Sequence, residues 1–177
     1  MRRTSTFLIG TAAAAAAIAA GVGATSAGAA GATRVDASGE VVRYGATIPA
    51  GATARVHAVY PPSGKTIVTL VVDGFPANTA FGSHVHKSAC HPTDAAASGG
   101  HYQHVPGTVS AAEEVWLDFT TDADGHAEAT ANVSWRFAQD IDHPEGANAV
   151  VMHRDPTNAT TGAAGPRLAC LTVPFTG

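Results

Sequence analysis

The sequence predicts an all-β fold, an antiparallel sandwich or barrel of about eight short strands. Three observations carry this. Residues 53–60 alternate, with Ala54, Val56, Ala58 and Tyr60 on one face and Arg55, His57 and Val59 on the other. A period of two marks a strand with one buried face. Residues 66–72 are rich in β-branched side chains, which fit a pleated surface. Gly, Pro, Asn and Asp punctuate such runs, and helical periodicity is almost absent.

The elements follow in chain order. Arg2 and Arg3, the apolar run from Phe7 to Val22 and the small residues Ala27-Gly28-Ala29 read as a secretory signal peptide cleaved near Ala29. A membrane anchor is the alternative, but the run is short and rich in Ala and Gly. Residues 30–39 are small and polar and are expected to be flexible. The domain proper is then 40–177. Glu40 to Tyr44 is a first strand, followed by the alternating strand Thr53 to Tyr60. Pro61-Pro62-Ser63-Gly64 turns the chain into Thr66 to Val72, and Asp73-Gly74-Phe75-Pro76 ends that strand. Phe81 to His86 is the fourth. The polar, glycine-rich stretch from Lys87 to Ala112 is too long for an ordinary connection, so it should be functional or pinned. Val115 to Thr120 and His126 to Trp135 form an expected hairpin around Asp122-Ala123-Asp124-Gly125, with Trp116 and Trp135 facing each other across it. Ala147 to His153 and Arg167 to Val173 are the last strands, joined by the small, polar loop 155–166.

Charge narrows the partners. Without Arg2 and Arg3, eight basic side chains stand against 14 acidic ones, a net −6 with neutral histidines. That excludes nucleic acid as an expected partner, and anionic membranes once the signal is removed. Nothing in the sequence indicates the oligomeric state. The two cysteines, Cys90 and Cys170, belong to an exported chain, where such a pair tends to be joined; two free buried thiols are the alternative.

Four of the nine histidines carry the chemistry. His84 and His86 flank Val85 on an expected strand, so both imidazoles leave the same face. His101 follows Gly99-Gly100, and His153 ends the strand Ala149-Val150-Val151-Met152-His153. Together they can close a four-nitrogen site. All-imidazole sites suit copper, zinc and related metals, not calcium or magnesium.

These motifs, in this order, resemble the copper/zinc superoxide dismutase family, particularly its exported bacterial members, over roughly residues 38–175. Gly82-Ser83-His84-Val85-His86 is similar to the first copper motif and Gly99-Gly100-His101-Tyr102 to the bridging-histidine motif. Val150-Val151-Met152-His153 is similar to the strand bearing the last copper ligand, and Gly165-Pro166-Arg167-Leu168-Ala169-Cys170 to the arginine and second disulfide cysteine. The resemblance implies a Greek-key β-sandwich with copper held outside the sheet. It implies His84, His86 and His153 as copper ligands, with His101 joining them in the oxidised state. It makes Arg167 the guide for superoxide and Cys90–Cys170 the tie between the ligand loop and the last strand. The implied reaction is dismutation of superoxide to hydrogen peroxide and dioxygen.

The chain departs from that family in its zinc region. The segment after His101 offers only His104 and one of Glu113 or Glu114, fewer than the four ligands of a closed zinc site. A copper-only site is therefore preferred over a copper and zinc site. Something else must then orient the far nitrogen of His101. Glu114 is the candidate, with Glu113 and Asp118 behind it; plain solvated charge is the alternative. The short loop 155–166 predicts an open copper with little electrostatic steering, and Asp155 reads as a turn residue. His57, His91, His126 and His143 need no role. The leading function is an exported copper-dependent superoxide dismutase. The alternative is a non-enzymatic copper-binding or buffering protein on the same scaffold.

Overall fold

In the computed structural model, which describes residues 31–140 and 143–175, two antiparallel sheets pack face to face as a Greek-key β-sandwich. The strands are β1 (Thr33–Glu40), β2 (Val42–Arg43), β3 (Thr53–Tyr60), β4 (Thr66–Asp73), β5 (Ala80–His86), β6 (Phe119–Thr120), β7 (Ala127–Val133), β8 (Ala149–His153) and β9 (Arg167–Thr172), with one short 3-10 turn at Ala95–Ser98. One sheet runs β1-β3-β4-β7 and the other β2-β9-β8-β5-β6. The signal-peptide reading lies outside the described residues.

Two expectations are corrected. The segment thought flexible is strand β1, paired with β3 from Thr33↔Tyr60 to Glu40↔Thr53. Its small, polar sequence suits an edge strand, where backbone pairing holds the chain and only Val35 and Ala37 lean on the core. The chain then crosses between sheets at the buried Val41, so the strand expected over 40–44 is split. The second correction concerns the hairpin around Asp122–Gly125. The turn exists, with Asp122 Oδ1 accepting from the backbone of Asp124 and His126. However, it joins β6 to β7, which belong to different sheets. The two tryptophans therefore do not face each other. Trp135 stacks on His104 and Tyr102, while Trp116 lies beside His84.

Period-two alternation separates core from site. Phe81 and Val85 of β5 and Val150 and Met152 of β8 enter the core between the sheets. There Phe75, Phe81 and Phe119 meet with centroids 5.2 to 5.9 Å apart. The opposite face of the same strands carries Gly82, His84, His86, Val151 and His153. It would be the outer face of the sandwich if loops 87–114 and 154–166 did not cover it. Cys90–Cys170 pins the first of these loops to β9 across 80 residues of sequence. Closing so long a loop stabilises by up to roughly 4.5 kcal/mol on the chain-entropy model. Replacing both cysteines by alanine is expected to lower the urea midpoint accordingly, and an unchanged midpoint would show that the bridge constrains nothing.

Candidate metal centre

The centre is built on β5. Its partner β8 places His153 opposite Gly82, one step diagonal from His84. On the other side of β5, His101 bridges His86 and Trp116 bridges His84. The four imidazoles of His84, His86, His101 and His153 thus come from two adjacent strands and one loop, and one nitrogen of each lies within 4.8 Å of the others. Among the described residues this is the one such group of three or more His, Cys, Asp or Glu side chains.

Hydrogen bonds divide the nitrogens of each ring. His86 Nδ1 donates to the Gly99 carbonyl at 3.0 Å and His153 Nδ1 to the Gly165 carbonyl at 3.1 Å. His101 Nδ1 donates to Glu114 Oε2 at 2.8 Å. His84 is tied by its other nitrogen: Nε2 donates to Thr157 Oγ1 at 2.7 Å, whose own proton goes to Asp118 Oδ1 at 2.6 Å. Every ring therefore presents a lone pair inward, from Nδ1 of His84 and from Nε2 of the other three.

Two features show that this donor set fits a cation. His84 Nδ1 is buried without a hydrogen-bond partner, a state that costs about 1–3 kcal/mol unless something binds there. His86 Nε2 and His153 Nε2 stand 3.3 Å apart, and with both Nδ1 protons spent on carbonyls these are two acceptors facing each other. An ion shared by all four nitrogens satisfies both features.

Burial, with the neighbouring His101, His153 and His86, holds His84 down to about 2. Burial and His101 likewise hold His86 down to about 2. Burial is also the main cause that lowers His153, to about 4. These rings are neutral in the fold, as metal ligands must be. In the unfolded chain they take up protons below about 6.5. The metal-free protein should therefore lose stability as pH falls from about 6.5 toward 4, by up to about 1.4 kcal/mol per ring and pH unit. Urea midpoints of metal-free protein at pH 7.5 and 5 check this, and a flat profile would contradict it.

Glu114 is 1% exposed. Burial pushes its carboxyl up, but hydrogen bonds from His101, Gln103 and Trp116 outweigh that and hold it below the usual range. It stays charged beside His101. His104 is elsewhere, paired with Glu113 at 2.8 Å and stacked flat on Trp135. The residues from which a zinc site would be drawn thus form two separate His–carboxylate pairs. Asp118 serves Thr157 and the Ser83 backbone and does not touch His101. Asp155 pairs with Arg154. His57, His126 and His143 each meet an aspartate outside the centre.

An open groove of about 470 Å³ lies over the centre, bounded by His101, His153, Arg167, Val109 and the small residues Gly162 to Gly165. Arg167 donates to the carbonyls of Ala95 and Gly99 and to Ser98 Oγ. It thereby fixes the loop whose Gly99 carbonyl orients His86. Sequence reasoning missed Thr157, Gln103 and Trp116. Gln103 stands 11 residues before Glu114 and Trp116 two after it, and nothing in that spacing shows that both donate to it. Thr157 sits in an anonymous small-residue loop.

No protein-family model matches the chain, and no curated protein matches it in sequence. In structure it is similar to the clock protein EA4, with a TM-score of 0.55 and 17% identity, over 79% of this chain and 92% of that one. It is also similar to a double mutant of a SOD-like protein from Bacillus subtilis, with a TM-score of 0.54 and 14% identity, over 79% of this chain and 95% of that one. Likeness at such identity shows the fold, which is SOD-like.

Proposed function

We propose that this chain is an exported, copper-dependent superoxide dismutase that converts superoxide to hydrogen peroxide and dioxygen. The observation that supports this best is a four-imidazole centre with every inward nitrogen deprotonated, set beside an open groove that carries a guanidinium. The motif order and the disulfide support export. Bound at this centre, copper would supply a one-electron couple, through which one superoxide would be oxidised to dioxygen and a second, with that electron and two protons, reduced to hydrogen peroxide.

The chain's own residues do the rest. His84, His86 and His153 would hold the ion through Nδ1, Nε2 and Nε2, with ring orientations set by Thr157, Gly99 and Gly165. Glu114 keeps the proton on His101 Nδ1. Nε2 of that ring is left to bind the ion or to carry a proton at the groove floor. Arg167 offers an anion a charge that no working pH removes.

A second reading has one observation in its favour. The hydrogen bonds of Arg167 all run to the 95–99 loop, which gives that residue a task without any substrate. A protein that only holds or buffers copper would look the same, and a fold does not fix a function. Native mass spectrometry after loading with copper and zinc, followed by a superoxide assay on the same sample, separates the readings. The dismutase reading expects one copper per chain and turnover far above free-metal background. It also expects Arg167→Lys, which keeps the charge but not the forked contacts to the 95–99 loop, to retain more activity than Arg167→Ala, which should slow turnover about tenfold or more. Copper bound without turnover would leave the holding protein.

A further inference from the structure

A second cavity, of about 590 Å³, shares no residue with the groove over the histidines. It forms where edge strand β1 meets the end of β3, the segment after β7 and Phe175, which follows β9. Its walls include Tyr60, Phe137 and Phe175, and its rim includes Arg34, Arg136 and Gln139. That volume lies within the range of about 300–1,000 Å³ that takes small organic ligands.

The walls are fixed in place. Tyr60 and Phe137 meet edge to face at 6.5 Å, and Phe137 and Phe175 lie 4.7 Å apart. The Tyr60 hydroxyl donates to the Phe175 carbonyl at 2.9 Å. Arg136 Nη2 donates to the Pro61 carbonyl at 2.6 Å while its guanidinium lies 5.8 Å from the Tyr60 ring centre. Burial pushes the Tyr60 phenol up to about 12, so this wall stays neutral. Tyr60 and Phe175 are buried, so the half-buried Phe137 offers most of the aromatic surface.

Charge gives the rim its meaning. The chain holds 14 acidic side chains against ten basic ones, yet among the described residues no Asp or Glu lines this cavity. Arg34 is exposed on the edge strand and, like Arg136, has no ion-pair partner among the described residues. Two guanidinium groups with no acid among the described lining residues, set beside aromatic side chains, complement a flat anion. Its ring would lie against the half-buried Phe137, backed by Tyr60 and Phe175, and its carboxylate would take the forked donors that arginine presents. Gln139 adds a neutral amide.

We propose that this cavity binds an aromatic carboxylate, at a site independent of the metal centre. The probe pair is 2-naphthoate and the neutral 2-naphthalenemethanol, titrated into the intact protein and followed by amide shifts in NMR spectra. Saturable shifts confined to the Arg34, Tyr60 and 136–139 region are expected with naphthoate, which should bind about tenfold more tightly than the alcohol. The Arg34 side chain makes no hydrogen bond or ion pair among the described residues, so Arg34→Gln should weaken naphthoate about tenfold while leaving the alcohol unchanged. His84→Ala should change the binding of neither probe. Equal affinity for both probes, indifference to Arg34→Gln, or no saturable binding of either would overturn the proposal.

Discussion

Replacing His84 by alanine is expected to abolish tight metal binding, with copper affinity falling well beyond the ~100-fold that losing a supporting residue costs. His84 is the one ring of the four that faces the centre through Nδ1, and that atom is buried with no other partner. Nothing nearby can replace it: Trp116 offers only an N–H, already donated to Glu114, and Thr157 bonds the far side of the ring. The change also removes the ring whose centre lies 4.0 Å from that of His101. Glu114→Gln is the graded companion. It keeps the shape but no longer offers a charged acceptor to His101 Nδ1, so affinity should fall about 10–100-fold. Competition titrations against a chelator of known strength read both, and unchanged affinity for His84→Ala would remove the centre as described.

Gly82→Ala is the second large effect, expected in stability and in the site together. A Cβ at Gly82 would stand 2.6 Å from the Asp155 carbonyl oxygen and 2.6 Å from Ala164 Cβ. Neither is the end of a flexible side chain, so the loop itself must move. The Gly82 N–H donates to that same Asp155 oxygen at 2.9 Å, and lifting the loop breaks this bond too. Overpacking of this kind costs about 1–3 kcal/mol. The loop also carries Thr157, which orients His84, and Gly165, whose carbonyl orients His153. Metal affinity should therefore drop along with the urea midpoint. A variant with wild-type midpoint and affinity would show that the loop does not rest on β5.

Much of this was legible in the sequence because period two is a strong signal. Alternation in 53–60 and the His-x-His pair announced strands with one committed face, and both lie as expected in β3 and β5. Strand β1 was not legible. Thr33–Glu40 is an edge strand held by backbone bonds, and such bonds leave no apolar pattern to read. The false hairpin has the opposite cause. The Asp-Ala-Asp-Gly turn is real, but a turn sequence records a reversal of direction and not which sheet each arm joins. Within the site, ring positions could be inferred from spacing, whereas the acceptors that sort Nδ1 from Nε2 are mostly carbonyls, at Gly99 and Gly165, which any residue supplies. Glu114 was legible as a candidate partner for the far nitrogen of His101, with plain solvated charge as the alternative. Thr157 was not, because its role arises only when loop 155–166 folds back on β5.

The most direct test reads the nitrogens themselves. In protein labelled with ¹⁵N at histidine and loaded with one equivalent of Cu(I), the Nδ1 resonance of His84 should shift on loading, while His86 and His153 shift at Nε2 and keep Nδ1 protonated. A shift of His84 at Nε2, or no change at any of these rings, would contradict the centre assembled from them.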